Sequence, residues 1–268
     1  MNFFFEIYLE LFGRASFRRL NYFFLKLGMK GLGFQNYQNF KISGEKSFLT
    51  RSLRKFKVDT IFDVGANLGN YTLLLSENFK KSKIYCFEPH PNNFDKLNKN
   101  LSNTQNVSTY NIGFSDSNME TVLFDYANKG GSSHATLYEA TITEIIQSRA
   151  EAISVKMQTI DNFLASHPEI ENISFLKIDT EGNEYKILLG AKDALHNNKI
   201  NIIQFEIGVN NIISKVHFKD FIDILNNYNL YRLLPKDLLK ITYNLKHVDE
   251  ILAFQNIIAI RKDLDLKE

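Results

Sequence analysis

The chain has one cysteine, no tryptophan and four prolines in 268 residues. With Cys86 alone, inside the apolar run IYCF, no intrachain disulfide can form, and a buried reduced thiol is the expectation. The six histidines are scattered, with no HxxxH pair and no second cysteine to join them. That excludes a zinc site of the usual spacing, so any metal would need oxygen ligands. Charge of one sign is also lacking, because 32 basic and 30 acidic residues leave a net charge of only +2. A general affinity for phosphate backbones is therefore not expected, and nucleic acid is not a demanded partner. No uncharged run approaches the roughly 20 residues of a membrane span. The N-terminal stretch MNFFFEIYLELFGRASFRRLNYFFLKLGMKGLG is broken by Glu6, Glu10, Arg14, Arg18, Arg19 and Lys26 and has no signal-peptide pattern. A cytoplasmic location follows as the expectation.

What is present is ordinary globular material, 44% apolar and 23% charged, without repeats or low-complexity tracts. We expect a helical extension over 1–43 and one domain over 44–268. Residues 3–12 and 16–28 have helical patterning, and the second segment sets Arg18, Arg19 and Lys26 beside Phe17, Leu20, Phe23, Phe24 and Leu27. The simpler expectation is a cap packed on the main domain. The functional one is a foot that touches an anionic surface at the inner face of a membrane, or a partner.

From about residue 58 short apolar runs alternate with helical patterns, the mark of βα units and a mostly parallel sheet. The runs are VDTIFDVG, KIYCFEP, VSTYNIGFSD, ISFLKIDTEG and NIIQFEIG; the helical segments are YTLLLSENF, PNNFDKLNKNL and NEYKILLGAKDAL. A helix at 217–227 follows, then NLYRLLP and QNIIAIRKD, which read as an antiparallel pair closing one edge of the sheet.

In an open parallel sheet the first strand-to-helix turn is the usual cofactor cradle, and here it reads FDVGANLGNY. A dinucleotide fingerprint G-x-G-x-x-G needs two further glycines after Gly65, but Asn67 and Asn70 stand in those places and Gly69 is out of register. A cofactor without a pyrophosphate does not need them. Glu88 ends the second strand 23 positions after Gly65 (88 − 65), near the roughly 20-residue spacing at which an acid meets an adenosine ribose. Loop amides, with Asp63 and Asn67, suit the amino acid tail of S-adenosylmethionine. Strand-end carboxylates also cap helices, which is the simpler reading of Asp63 and Glu88 taken singly.

DVGANLGNYT, FEPHPNNFDKL, NIGFSD, QTIDNFL, LKIDTEGNEYKILLGA and FEIG, in this order, resemble the FkbM-type family of S-adenosylmethionine-dependent methyltransferases over roughly residues 43–208. The resemblance implies a Rossmann-like class I methyltransferase fold and methyl transfer to oxygen, most often a hydroxyl of a sugar or of a secreted or secondary-metabolite scaffold. It also implies a cofactor pocket at Asp63, Gly65, Asn67, Gly69 and Glu88, with Asp116 near the adenine. Ile160 and Asn118 are mild departures from the family pattern, in QTIDNF and after SD.

LKIDTEGNE sets Asp179, Glu181 and Glu184 at the end of the fourth strand, and Glu206 ends the fifth. A neutral alcohol is a poor nucleophile, so its proton must pass to a base or its oxygen must be acidified by a metal. Asp179 is the expected base; alternatively Asp179 and Glu206 hold Mg²⁺ through oxygens. Glu181 belongs to the same acidic set, while Glu184 reads as a helix cap. His134, in the loop NKGGSSHATLY, is a further candidate base, although a solvated loop histidine is the simpler reading. His90 and His217 carry less weight. The leading expectation is an O-methyltransferase acting on a glycan or glycosylated metabolite. The alternatives are a non-catalytic adenosyl-binding scaffold and a nucleic-acid methyltransferase, the latter disfavoured because no Asn-Pro-Pro-Tyr type of motif follows the fourth strand.

Overall fold

The computed structural model describes residues 2–126, 130–132, 135–242 and 250–264. Among these the chain begins with α1 (Asn2–Phe12), α2 (Arg18–Gly31) and a short α3 (Glu45–Ser47). The alternating region then runs β1 (Thr60–Val64), α4 (Asn70–Asn78), β2 (Lys83–Phe87), α5 (Pro91–Leu101) and β3 (Val107–Tyr110). Next come β4 (Gly113–Phe114), β5 (Met119–Tyr126), β6 (Ala150–Gln158), α6 (Ile160–Ser166) and β7 (Ile173–Ile178). The C-terminal part holds α7 (Glu184–Leu189), α8 (Lys192–His196), β8 (Ile200–Ile207), α9 (Asn210–Ser214), α10 (Phe218–Ile224), β9 (Tyr228–Leu233), β10 (Leu238–Lys240) and β11 (Gln255–Arg261).

The main sheet has eight strands in the order β10-β9-β11-β8-β7-β1-β2-β3. Strands β1, β2, β3, β7 and β8 are mutually parallel, and every residue of β7 is buried, as a parallel strand covered on both faces requires. Each fully buried Ile, Leu or Phe of this core is worth about 1.5–3 kcal/mol relative to exposure. The chain steps outward from β1 through β2 to β3, then returns to β7 beside β1 and proceeds the other way. The carboxyl ends of β1 and β7 thus form the switch point, where an open α/β sheet leaves a crevice. Cys86, on β2, is buried as expected.

Three sequence expectations change in detail. QNIIAIRKD and NLYRLLP do pair antiparallel, but β11 lies inside the sheet between β8 and β9, and β10 takes the edge. The first six residues of β11 are buried, and such a strand needs cover on both sides. VSTYNIGFSD is not one strand: it breaks after Tyr110, and Gly113–Phe114 joins β6 and β5 in a second, three-stranded sheet. NEYKILLGAKDAL is two helices, parted at Gly190, where an added Cβ would lie 2.0 Å from the Ser115 carbonyl oxygen.

The expected packing of the N-terminal cap is not found. No residue of α2 is buried, and Phe3, Phe4, Phe5, Leu9 and Leu11 of α1 are exposed. The chain joins the core at Phe34, which is fully buried under the Arg232 guanidinium, 4.0 Å from its ring centroid. The connector after Phe34 then runs to buried Ser43 and Glu45. Residues 34–43, assigned by sequence to the extension, therefore include part of the core.

Candidate active site

The β1–α4 loop is built around one close approach. Gly65 has φ +79°, and an added Cβ would lie 1.8 Å from the Asp179 carbonyl oxygen, so only glycine lets the ends of β1 and β7 meet. Its N–H and that of Ala66 donate to the Phe87 carbonyl at 3.0 and 3.1 Å, tying the loop to β2. Asn67 has φ +50°, the left-handed conformation that asparagine tolerates best after glycine. The place of the missing second glycine thus keeps a glycine-like backbone. Gly69 precedes α4 with φ +85°, and a Cβ there would press within 2.9 Å of the Leu97 side chain on α5, which makes its role helix packing. Asp63 is fully buried behind the loop, where its Oδ2 accepts from Thr72 Oγ1 at 2.7 Å. It lines none of the cavities described below.

A narrow slot at the switch point is lined by Gly65, Asn67, Glu88, Asp179 and Glu181 on its polar side and by Phe114, Leu123, Leu137 and Met157 on its apolar side. Glu88 is buried, and its two oxygens accept backbone N–H groups from Asn67 at 2.8 Å and His90 at 2.9 Å. Burial nonetheless raises its carboxyl to about 7. Two amide oxygens in the slot lining, Asn93 Oδ1 and Asn183 Oδ1, are buried and have no hydrogen-bond partner among the described residues. Unpaired acceptors of this kind are costly unless a ligand supplies the donors. Asp116 stands apart: it is exposed beyond β4, accepts from Ser115 and Ser117, and does not line the slot. His90 sits at the N-cap of α5, with its Nδ1 accepting from Asn92 N at 3.1 Å and its Nε2 3.4 Å from Asp125 Oδ2.

The slot opens on a larger cleft of about 790 Å³, with Gly65, Asn67, Ser132, Asp179 and Glu181 common to both. Asp179 is about one-third exposed, and its Oδ2 accepts from Lys177 Nζ at 2.9 Å. Lys177 lies inside the buried β7, 3.8 Å from Asp63 Oδ1 and 4.8 Å from the centroid of the Tyr71 ring. Burial works against its charge, but Asp179, Asp63 and Glu45 outweigh it and hold the ammonium above its ordinary value. Around it runs a polar chain: Tyr71 OH donates to Gln204 Oε1, Gln204 Nε2 donates to Glu45 Oε1, and Ser43 Oγ donates to Glu45 Oε2. Glu181 is held at φ +55° by the TEG turn, and its Oε2 accepts from Asn210 at 2.6 Å. Glu184, read as a cap, accepts from the N–H groups of Thr180 and Gly182 and so fixes that turn.

Glu206 also lines the cleft, but burial, with Asp179 and Glu181 nearby, holds its carboxyl well above the usual range. The expected Mg²⁺ pair does not fit this arrangement. An ammonium already sits against Asp179, and no group of three metal-ligating side chains occurs among the described residues. The other candidate base, His134, lies outside the described residues.

The sequence family described as Methyltransferase FkbM domain matches residues 63–233, more than half of the chain. The chain belongs to the FkbM methyltransferase family. Its strand order places a narrow crevice at the carboxyl ends of β1 and β7, lined by residues of the matched segment. Among curated relatives it is 28% identical over 147 residues to "Methyltransferase 1" of Beauveria bassiana, covering 50% of this chain and 58% of that protein. It is 26% identical over 152 residues to "Hexuronic acid methyltransferase AglP" of Haloferax volcanii, covering 56% and 57%. A third, "2-O-methyltransferase NoeI" of Sinorhizobium fredii, is 22% identical over 185 residues, covering 66% and 74%. This FkbM-family chain thus matches less than two-thirds of the length of the first two.

Sequence reasoning missed Lys177, Glu45, Tyr71, Gln204, Asn93 and Asn183. For Lys177 a signal existed: a lysine inside the run ISFLKI of a buried strand must find partners. Glu45 and Tyr37 reach the cleft from a connector that precedes the family match, where no motif marks them.

Proposed function

We propose that the protein transfers a methyl group from S-adenosylmethionine to a hydroxyl of a sugar in a glycan or glycosylated metabolite. The observation that carries this reading is the meeting of the narrow slot and the large cleft at Asp179 and Glu181. The slot offers an apolar wall for a purine, the unpaired oxygens of Asn93 and Asn183 for its amine and other donors, and Glu88 for a ribose diol. When bound there, S-adenosylmethionine supplies a methyl carbon on a sulfonium, an electrophile that needs no metal activation. Asp179 would take up the proton of the acceptor hydroxyl, whose oxygen would face the methyl donor where the cleft meets the slot. Lys177 holds the Asp179 carboxylate in place. Across the cleft Tyr37 and Phe254 meet edge to face, 5.6 Å between centroids, and offer aromatic faces to a sugar ring. Asp179 and Glu181 line the same cleft, and Lys177, its buried cation, is already engaged by Asp179, so a neutral, hydroxyl-rich acceptor suits it better than a uronate. The names of the Haloferax and Sinorhizobium relatives, a hexuronic acid methyltransferase and a 2-O-methyltransferase, support transfer to sugar oxygen. Incubation with S-adenosylmethionine and a panel of neutral and uronic oligosaccharides, read by mass spectrometry, should add one methyl to neutral members. A panel without any methylated product, with transfer to protein or nucleic acid instead, would overturn the substrate class.

Glu88 provides a second check. Glu88→Ala should weaken S-adenosylhomocysteine roughly a hundredfold or more, because two charge-assisted hydrogen bonds of about 1.5–3 kcal/mol each are lost. The carboxyl, raised to about 7 by burial, must ionise to accept from the diol. Affinity should therefore rise with pH, at most about tenfold per unit, and level off above about 7. In the free chain the sign is opposite: the folded state holds this proton more tightly than the unfolded one, so Glu88 favours stability less as pH rises from the ordinary 4.5 to about 7. Calorimetry on wild type and Glu88→Gln separates the two, since only the wild type should show the pH step in binding.

A further inference from the structure

We propose that α1 and α2 form a foot that docks in the interface of an anionic lipid bilayer. In a water-soluble helix one face is apolar and buried, yet α1 exposes Phe3, Phe4, Phe5, Ile7, Leu9 and Leu11, with Phe4 at 80%. On α2, Tyr22, Phe23, Phe24, Leu25 and Leu27 are exposed as well, and none of its residues is buried. Contiguous apolar surface of this kind on a folded chain marks an interaction site.

Charge says what covers it. Over residues 2–31, Arg14, Arg18, Arg19, Lys26 and Lys30 stand against only Glu6 and Glu10. Three of these cations, Arg18, Arg19 and Lys26, line one groove with Tyr22 and Phe23. Cations interleaved with aromatic rings match lipid phosphates above acyl chains: the rings sit at headgroup level while the long basic stems reach up to the phosphates. A second copy of the chain is a poorer occupant, because a two-fold interface would set this cationic groove against its own counterpart. Neither helix spans a bilayer: α2, the longer, has 14 residues and reaches about 21 Å against a hydrocarbon core of about 30 Å. The foot lies in the surface plane. It is joined to the cleft by a short connector, since Tyr37 of the cleft lies six residues beyond Gly31, the last residue of α2. At full extension those six residues span about 20 Å, so the cleft opens close to the bilayer.

The test is flotation of the full chain with vesicles of phosphatidylcholine alone and of equal parts phosphatidylcholine and phosphatidylglycerol. We expect binding to the anionic vesicles that falls steeply at about 0.5 M salt, and little binding to the neutral ones. Arg18→Glu/Arg19→Glu/Lys26→Glu should lower partitioning roughly a hundredfold or more, at about fivefold for each cation lost. Phe4→Ser/Phe23→Ser should lower it at low salt too, which separates insertion from adsorption by charge alone. Far-UV circular dichroism and urea midpoints should match wild type in both variants, because the substituted side chains are not part of the core. The proposal is overturned if wild type stays behind when anionic vesicles float, or if the charge-reversed variant floats like wild type. It is equally overturned if wild type is a dimer that Phe4→Ser/Phe23→Ser converts to monomer while no form binds vesicles.

Discussion

Asp179→Asn should abolish most turnover, a loss of about 10²–10⁴-fold in kcat, while S-adenosylhomocysteine affinity stays within a few-fold of wild type. The first half of this expectation comes from position. Asp179 follows directly on β7 and lies where the slot and the acceptor cleft join, with one oxygen held by Lys177 and the side chain about one-third exposed. An amide keeps that geometry, since its carbonyl oxygen still accepts from the lysine, but it has no useful basicity toward an alcohol proton. The second half comes from separation of parts: of the groups proposed to hold the cofactor's nucleoside, Glu88 and Asn93 belong to the β2–α5 segment, and Asn183, four residues after Asp179, is held by its own hydrogen bond to the Phe114 carbonyl. Single-turnover methylation with a neutral sugar acceptor, together with calorimetric titration of S-adenosylhomocysteine, reads both halves. Turnover at the wild-type rate would remove Asp179 from the chemistry and shift attention to His134, the other candidate base.

The parallel framework was legible in the sequence because its strands lie in short apolar runs that end in a carboxylate or glycine cluster, and β1, β2, β7 and β8 bury most of their residues by simple two-sided cover. The small second sheet was not. β5 and β6 alternate in period two, yet the core beneath them is only Leu123, Val155 and Met157, so their apolar face is too thin to stand out. Within the site, Gly65 and Glu88 were marked by spacing from one another along a single βα unit. Asp63 was read as a cofactor contact because it adjoins the same loop, but its side chain points away from the cavities toward Thr72 and Lys177. Asp116 was placed by resemblance alone and faces solvent. What sequence could not show is assembled from distant segments: Glu45 from the N-terminal connector meets Gln204 of β8, 159 positions on, and Tyr37 meets Phe254. Such contacts leave no periodic trace.

Lys177→Met should destabilise the fold by about 3–5 kcal/mol, the usual result of deleting one member of a buried ion pair. Methionine reproduces the length of the aliphatic stem, so the expected loss is electrostatic rather than a cavity. Asp63 is fully buried, and burial already raises its carboxyl against the lowering effect of Lys177. Without the lysine it must either remain charged with only Thr72 as a donor or take up a proton at neutral pH. Glu45, raised by burial and likewise held down by Lys177, moves in the same direction. Folded-state values that rise above the unfolded ones mean that stability falls as pH rises through them, so the variant should regain stability on acidification from pH 8 toward about 5. The double variant Lys177→Met/Asp63→Asn tests the cause. Removing both charges leaves no stranded carboxylate at Asp63, and urea unfolding should recover much of the loss, a coupling within the roughly 0.5–3 kcal/mol range seen for contacting residues. Catalysis should not recover with it, because the ammonium that orients Asp179 is still missing. A single variant as stable as wild type at pH 8 would show that Lys177 and Asp63 are not coupled, and recovery of full turnover in the double variant would show that Asp179 needs no lysine to hold it.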